Sequence, residues 1–415
     1  MRKFVFFALL PALLAWAAAS HLGQASPVSS GAVLSPAVAP QPGDLFAIAD
    51  LHGDYDKAVQ SLRLLGLVDE ALNWAAAASN VTLVQAPKWG SRVVQVLGNH
   101  DVFSLAGDTR YVSREEVMRL GAGALARKAH GEGAAGRQLQ DEAPPPAAAG
   151  GAAGGGAAGL SGDPGGWPAE AQAAALAAGY AEWNRLLGAG EAFGDALRDR
   201  ALVAVEGEGA CRTLFVHAGL VPRTLRELVA AVDASSGGPG AGRAGGAGGA
   251  GGAAPSDLPA LTPKAVARIN AAAASLLARC VGGVCRFWGG GADAALPADP
   301  SLVAAVTGNE GPVWNRVLAL GEERAVCAAA DRLLAAADGA ARVVVGHTVM
   351  RDGRARARCG GRVLLLDTGM SAEMSDAPAA GWVCRAGGGG GGADKAGAGE
   401  ALRAVLYADG LRQAV

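Results

Sequence analysis

The stretch Phe46-Ala-Ile-Ala-Asp50-Leu-His52-Gly53-Asp54 decides the fold. It opens as a short apolar run, the pattern of a buried strand, and ends abruptly in polar residues. Asp50 and His52 stand two apart, so on extended chain their side chains share one face and can chelate a single ion. Three further apolar runs end in the same way: Val96-Leu-Gly98-Asn99-His100-Asp101, Leu214-Phe-Val-His217-Ala-Gly219 and Val343-Val-Val-Gly346-His347-Thr348. Four of the six histidines are placed by this rule. One histidine at a strand end reads most simply as a hydrogen-bonded residue, but four in one chain point to a shared centre. Imidazole, carboxylate and amide oxygen together suit divalent manganese, iron or zinc. In α/β sheets ligands gather beyond the carboxyl ends of the strands, where all four motifs fall.

Outward from these motifs the same pattern repeats. Strands are predicted at Leu45–Ala49, Val81–Val84, Val93–Leu97, Thr213–Val216, Val343–Val345 and Val363–Leu366, and helices at Asp56–Leu65, Glu115–Leu120, Ala265–Leu277 and Glu322–Ala336. Strands followed by helices describe a layered α/β domain. Tracts at 131–166, 235–256 and 386–394 are rich in Gly, Ala and Pro. They hold too few large side chains to offset the entropy of ordering, which predicts disordered insertions or linkers. Although 51% of the chain is hydrophobic, much of that is Ala, so the expected core is smaller than the percentage suggests.

A net charge of −2 supplies no basic field for a nucleic-acid backbone, which argues against a nucleic-acid partner. Residues 1–20 carry Arg2 and Lys3, an apolar run from Phe4 to Ala19 broken by Pro11, and small residues at Ala17, Ala19 and Ser20. This is the layout of a cleavable signal peptide rather than of a span of roughly 20 apolar residues. It predicts a secretory or extracellular protein without a stable membrane span after cleavage. An organelle lumen such as a plastid is the alternative. Cys211, Cys280, Cys285, Cys327, Cys359 and Cys384 could pair in an oxidising compartment or remain buried thiols.

Asp50-x-His52-Gly, Gly98-Asn99-His100-Asp101, His217-Ala-Gly and Gly346-His347-Thr resemble, in order, the metal-binding signatures of the calcineurin-like metallophosphoesterases. Gly107-Asp108-Thr-Arg110-Tyr111-Val, Gly311-Pro-Val-Trp314-Asn-Arg316 and Asp367-Thr-Gly-Met-Ser371 narrow the likeness to the Shewanella-like protein phosphatases. The resemblance spans residues 44–375, leaving 376–415 as a C-terminal segment with a Gly-rich linker. It implies the four-layer α/β/β/α metallo-dependent phosphatase fold and two divalent metal ions (Mn, Fe or Zn). Asp50 and His52 would hold the first ion, and Asn99, His217 and His347 the second. His100 would be the general acid, oriented by Asp101, in a hydrolysis of phosphomonoesters by metal-activated water, with a phosphoprotein as substrate. A small phosphorylated molecule, such as a dinucleoside polyphosphate, is the rival substrate.

Two departures qualify this reading. Ala49 replaces the Gly that the family places before its Asp. More seriously, the family's Gly-Asp-x-x-Asp-Arg-Gly segment, whose Asp bridges the metals, is absent: Asn80-Val-Thr-Leu-Val-Gln85 passes straight into Ala86-Pro-Lys-Trp-Gly. The first site is left with two protein ligands, and the bridging anion and an Arg for substrate phosphate are missing. Either this form is impaired, even a non-catalytic binding protein, or a segment was lost in deriving the sequence. Arg110 is a candidate replacement for the phosphate-binding Arg, with a surface ion pair as the alternative; Arg316 stands in the same position. Asp367 reads as a structural cap with a ligand role as the alternative, and Trp183, Trp288 and Trp314 read as core.

Overall fold

The computed structural model describes residues 40, 43–75, 82–84, 92–129, 164–235, 258–278, 299–385 and 402–415. The expected signal peptide, the 235–256 and 386–394 tracts beyond Ser235, the Gln85–Ala86 join, Cys280, Cys285 and Trp288 lie outside these residues. The 131–166 tract lies outside them as far as residue 163; Pro164–Gly166 forms a single 3-10 turn that leads into buried Trp167.

The described strands are β1 (Leu45–Ala47), β2 (Thr82–Val84), β3 (Arg92–Val93), β4 (Ala204–Glu206), β5 (Thr213–Phe215), β6 (Arg342–Val345), β7 (Arg356–Arg358), β8 (Val363–Leu365), β9 (Ala380–Arg385), β10 (Leu402–Tyr407) and β11 (Arg412–Ala414). They form two sheets, ordered β11-β10-β9-β1-β2-β3 and β4-β5-β6-β8-β7. The helices are α1 (Tyr55–Leu64), α2 (Asn99–Leu105), α3 (Arg114–Ala129), α4 (Ala169–Leu186), α5 (Ala192–Arg198), α6 (Pro222–Ser235), α7 (Pro263–Ala278), α8 (Pro300–Thr307), α9 (Val317–Leu320) and α10 (Glu323–Ala336).

Alternation along β6 explains the layering. Val344 faces an inner core shared with Phe46, Leu364 and Trp382, whereas Val343 and Val345 face an outer core with Leu228, Ile269 and Leu333 from α6, α7 and α10. Because side chains on a strand point alternately to opposite faces, an all-apolar strand must be covered on both. One face of the second sheet therefore packs on the first sheet and the other on helices, while α1 covers the first sheet through Leu62 and Leu64. The result is the expected α/β/β/α sandwich. Phe215 and Trp382 meet between the sheets with centroids 6.1 Å apart. A disulfide from Cys211, just before β5, to Cys384 on β9 ties the two layers covalently. A second disulfide joins Cys327 on α10 to Cys359.

Two boundaries read from sequence are corrected. The segment after residue 375 is part of the sandwich: β9 pairs antiparallel with β1, Phe46 opposite Val383, and Arg385 makes a two-pronged ion pair with buried Asp44. This pairing joins strands more than 330 residues apart in sequence, so no local pattern marks it. The predicted strand Val93–Leu97 leaves the first sheet after Val93. Leu97 N donates to Ala201 O (2.8 Å) and Ala201 N to Gln95 O (2.8 Å), just ahead of β4. The chain thus crosses from one sheet to the other, and this crossing delivers Asn99 and His100 between the layers.

Candidate metal centre

Each sequence motif reaches one cleft by its own strand. β1 delivers Asp50 and His52, the crossing segment after β3 delivers Asn99 and His100 at the start of α2, β5 delivers His217, and β6 delivers His347. All six line a cavity of about 170 Å3, together with Tyr111, Trp314, Arg316 and Met374. Of the residues expected to act, Arg110 stands outside this lining. Its guanidinium binds Asp108 (Nε to Oδ1 2.9 Å) and lies over the Phe103 ring at 5.6 Å. The surface ion pair is what the structure shows, whereas Arg316 lines the cleft, as does buried Arg200. Arg316 donates to His347 O and to Thr348 Oγ1, each at 3.2 Å. Trp314 lines the cleft beside His347, centroids 5.2 Å apart, whereas Trp183 fills the core as expected.

Asp50 is the hub. Its Oδ1 lies 3.3 Å from His217 Nδ1, and its Oδ2 accepts from the backbone N–H of His347. His217 Nε2 in turn lies 2.9 Å from Asn99 Oδ1, which links the two halves of the expected centre. The chain approaches closely at two glycines: a Cβ on Gly346 would stand 2.6 Å from Asp50 Oδ2 and force a shift, and one on Gly98 would stand a tight 3.2 Å from His217. His52 and His347 are held at φ values of 47° and 63°, a conformation costing a non-glycine residue on the order of 1–3 kcal/mol. Such strain persists where the surroundings over-determine it, and here it falls on two expected ligands.

His100 stands with its ring 5.4 Å from that of His52 and 4.9 Å from Tyr111. Asp101, read as its orienting carboxylate, accepts from Gly98 N (2.9 Å) and from Arg200 (2.7 Å) through one oxygen. It therefore caps the helix that carries His100 and holds it to buried Arg200, 99 residues away. Nothing local in the sequence marks Arg200.

Burial shapes the electrostatics. It lowers His347 to about 3 and His100 to about 4, with neighbouring imidazoles adding to the effect, and it lowers His52 as well. Burial works against ionising Asp50, but His217, His52 and the His347 N–H overcome it and hold the carboxyl well below its usual range. Burial and the facing Asp50 carboxylate push Asp367 up to about 8. Asp367 sits directly after β8, and its carboxylate, that of Asp50 and an imidazole nitrogen of His52 lie within 4.8 Å of one another. It obeys the strand-then-polar rule of the four histidine motifs, so the signal was present in the sequence without a histidine to advertise it.

The donor set fits divalent cations. His52 Nε2, His347 Nε2 and Asp367 Oδ2 are buried without a hydrogen-bond partner among the described residues. Buried polar atoms are ordinarily satisfied, and neutral imidazoles beside carboxylates are in the protonation state that coordination needs.

Fold and donor set together resemble the metallo-dependent phosphatases. No family model matches the chain. A 97-residue stretch is 27% identical to Shewanella-like protein phosphatase 2 of Arabidopsis thaliana, covering 18% of this chain and 25% of that protein. A 99-residue stretch is 31% identical to Shewanella-like protein phosphatase 1 of Plasmodium berghei, covering 18% of this chain and 27% of that protein. The matches span about a quarter of these relatives' length. Among solved structures, the cold-active protein-tyrosine phosphatase of a psychrophilic Shewanella superposes with a TM-score of 0.50 at 16% identity, covering 92% of this chain and 84% of that one. That likeness concerns the fold.

Proposed function

We propose that the chain is a metal-dependent phosphomonoester hydrolase acting on phosphoprotein side chains. The observation that carries the reading is the convergence of Asp50, His52, Asn99, His100, His217 and His347 on one cleft from four separate strand ends. Asp50 and His52 would hold one divalent ion, of manganese, iron or zinc, and Asn99, His217 and His347 a second. When bound, such a pair supplies a lowered pKa for water and charge neutralisation at the phosphoryl oxygens.

The remaining steps belong to the chain. Arg316 offers a guanidinium in the cleft for the phosphoryl oxygens. His100, in its protonated form, gives its proton to the leaving oxygen, and an approaching phosphate dianion favours that form by its charge. Tyr111, Trp314 and Met374 supply an apolar wall that suits the peptide or aromatic part of a phosphoprotein ester. A secretory or organellar location is supported by the two disulfides.

The absent Asp-Arg-Gly segment favours a second reading, a phosphate-binding protein without turnover. Loss of a positioned charge in such a centre raises the barrier by about 3–4 kcal/mol, so slow turnover is the expectation for this form. Purified protein, stripped with a chelator and reloaded with manganese, should hydrolyse p-nitrophenyl phosphate slowly and only with metal. Metal-independent turnover would remove the metal reading, whereas metal binding with no turnover would leave the binding protein. Genomic DNA encoding an open Asp-x-x-Asp-Arg-Gly stretch between the codons for Gln85 and Ala86 would show that a full centre exists in another form.

A further inference from the structure

The first metal site, as the sequence motifs define it, has only Asp50 and His52. We propose that Asp367 completes it, making a site of two carboxylates and one imidazole for a divalent cation of the manganese type; the inference rests on the metal-centre reading above. The three ligand atoms lie within 4.8 Å of one another, close enough to share one ion. Asp367 is 1% exposed. Its Oδ1 accepts from Gly369 N at 3.0 Å, which sets the carboxylate plane, and its Oδ2 is buried without a hydrogen-bond partner among the described residues. His52 Nε2 is orphaned in the same way.

The backbone around Asp367 is held on both sides. Leu366 N donates to Val345 O, and Met350 N to Asp367 O, each at 2.8 Å, so the carboxylate is fixed relative to β6 and to the loop that carries His347. Two carboxylates facing each other in a buried place repel unless a proton or a cation stands between them. The Arg316 guanidinium in the cleft favours the Asp367 carboxylate by its charge, but it directs its hydrogen bonds to His347 O and Thr348 Oγ1. Hard carboxylate oxygens with a single imidazole favour a manganese-type ion over the softer members of the series.

Asp367 comes from β8 in the second sheet, whereas the carboxylate missing from this chain would follow β2 in the first. The missing anion is thereby replaced from the opposite layer. Asp50, already in contact with His217 and His347, remains the group that can serve both ions.

The test compares the full-length protein with its Asp367→Asn variant, which keeps an oxygen for Gly369 N and removes the charge. In manganese titrations followed by calorimetry, the wild type should show saturable binding and the variant a loss of affinity of about 100-fold or more at one site. In melting experiments, the variant with chelator should melt at or above the wild type, because the amide cannot set a second charge against buried Asp50, and manganese should raise its midpoint by less than that of the wild type. Equal manganese affinity in the two proteins, or a variant that melts lower with chelator yet keeps the full manganese shift, overturns the assignment and leaves Asp367 as a structural carboxyl. Absence of saturable binding by the wild type overturns the metal-centre reading itself. Should the variant fail to fold, manganese-edge anomalous diffraction from wild-type crystals decides: an ion at about 2.0–2.2 Å from an Asp367 oxygen supports the site. An ion on Asp50 and His52 beyond about 3 Å from Asp367 refutes it.

Discussion

The two walls of the cleft differ in how they bring side chains to it. On the second-sheet wall, β5, β6 and β8 run parallel and in register, with Val343 opposite both Leu214 and Val363. Their ends lie side by side and present His217, His347 and Asp367 in a row. On the first-sheet wall, only β1 ends directly in ligands. Asn99 and His100 arrive through a chain that leaves the sheet, bonds to Ala201 and is capped by Asp101. A wall of adjacent strand ends is set by sheet hydrogen bonding, whereas the other depends on single long-range contacts. A centre held between two such walls can lose a donor from one and recover a donor from the other.

The largest effect expected from a single substitution falls on the first-sheet wall. His100→Asn should lower kcat on alkyl phosphate esters by about 10²–10⁴-fold, the range for a general acid. It should lower p-nitrophenyl phosphate turnover much less, since that leaving group needs little protonation. Equal losses on both substrates would place His100 in binding rather than proton transfer.

Next comes the pair that holds this wall, Arg200 and Asp101, whose side chains are 3% and 7% exposed. Arg200→Met leaves Asp101 buried without its charged partner and should cost about 3–5 kcal/mol in chemical denaturation. A similar cost from a substitution on the rim of the second-sheet wall, such as Arg316→Met, would erase the contrast between the walls.

The covalent tie between the sheets is expected to contribute less. Replacing both Cys211 and Cys384 by Ala should remove about 2–4 kcal/mol of stability, read as a lower midpoint that added reductant no longer shifts through this bond. Unchanged stability would mean that sheet packing through Phe215 and Trp382 suffices.

The smallest effect is expected far from either wall, at Glu182 on α4. Hydrogen bonding from Arg185, with Arg127 of α3 nearby, lowers its pKa from 4.5. A depressed carboxyl stabilises above its unfolded pKa, and that contribution is lost as pH falls below about 4.5 through the lower folded value. Because the arginines are half-exposed, the effect should be about 0.2–1 kcal/mol. Glu182→Gln should flatten stability in that acid window while leaving metal binding unchanged.

Strand ends and their donors were legible in the sequence because a short all-apolar run followed by Asp, Asn or His has few other uses, and four of them appear in order. Spacing within each run also placed Asp50 with His52 on one face. What the sequence left open were matters of distance. Arg110 and Arg316 are equivalent as letters, yet one is engaged with Asp108 and the other enters the cleft. Asp367 reads as a cap until β8 is laid beside β6. The pairing of β9 with β1 was hidden because it joins residues more than 330 apart, and no local pattern reports such a partner. Local apolar patterning writes secondary structure and the chemistry at its ends, since both act over a few residues. Which carboxylate faces which imidazole follows from sheet order and register, and these are settled only when the whole chain buries its two cores together.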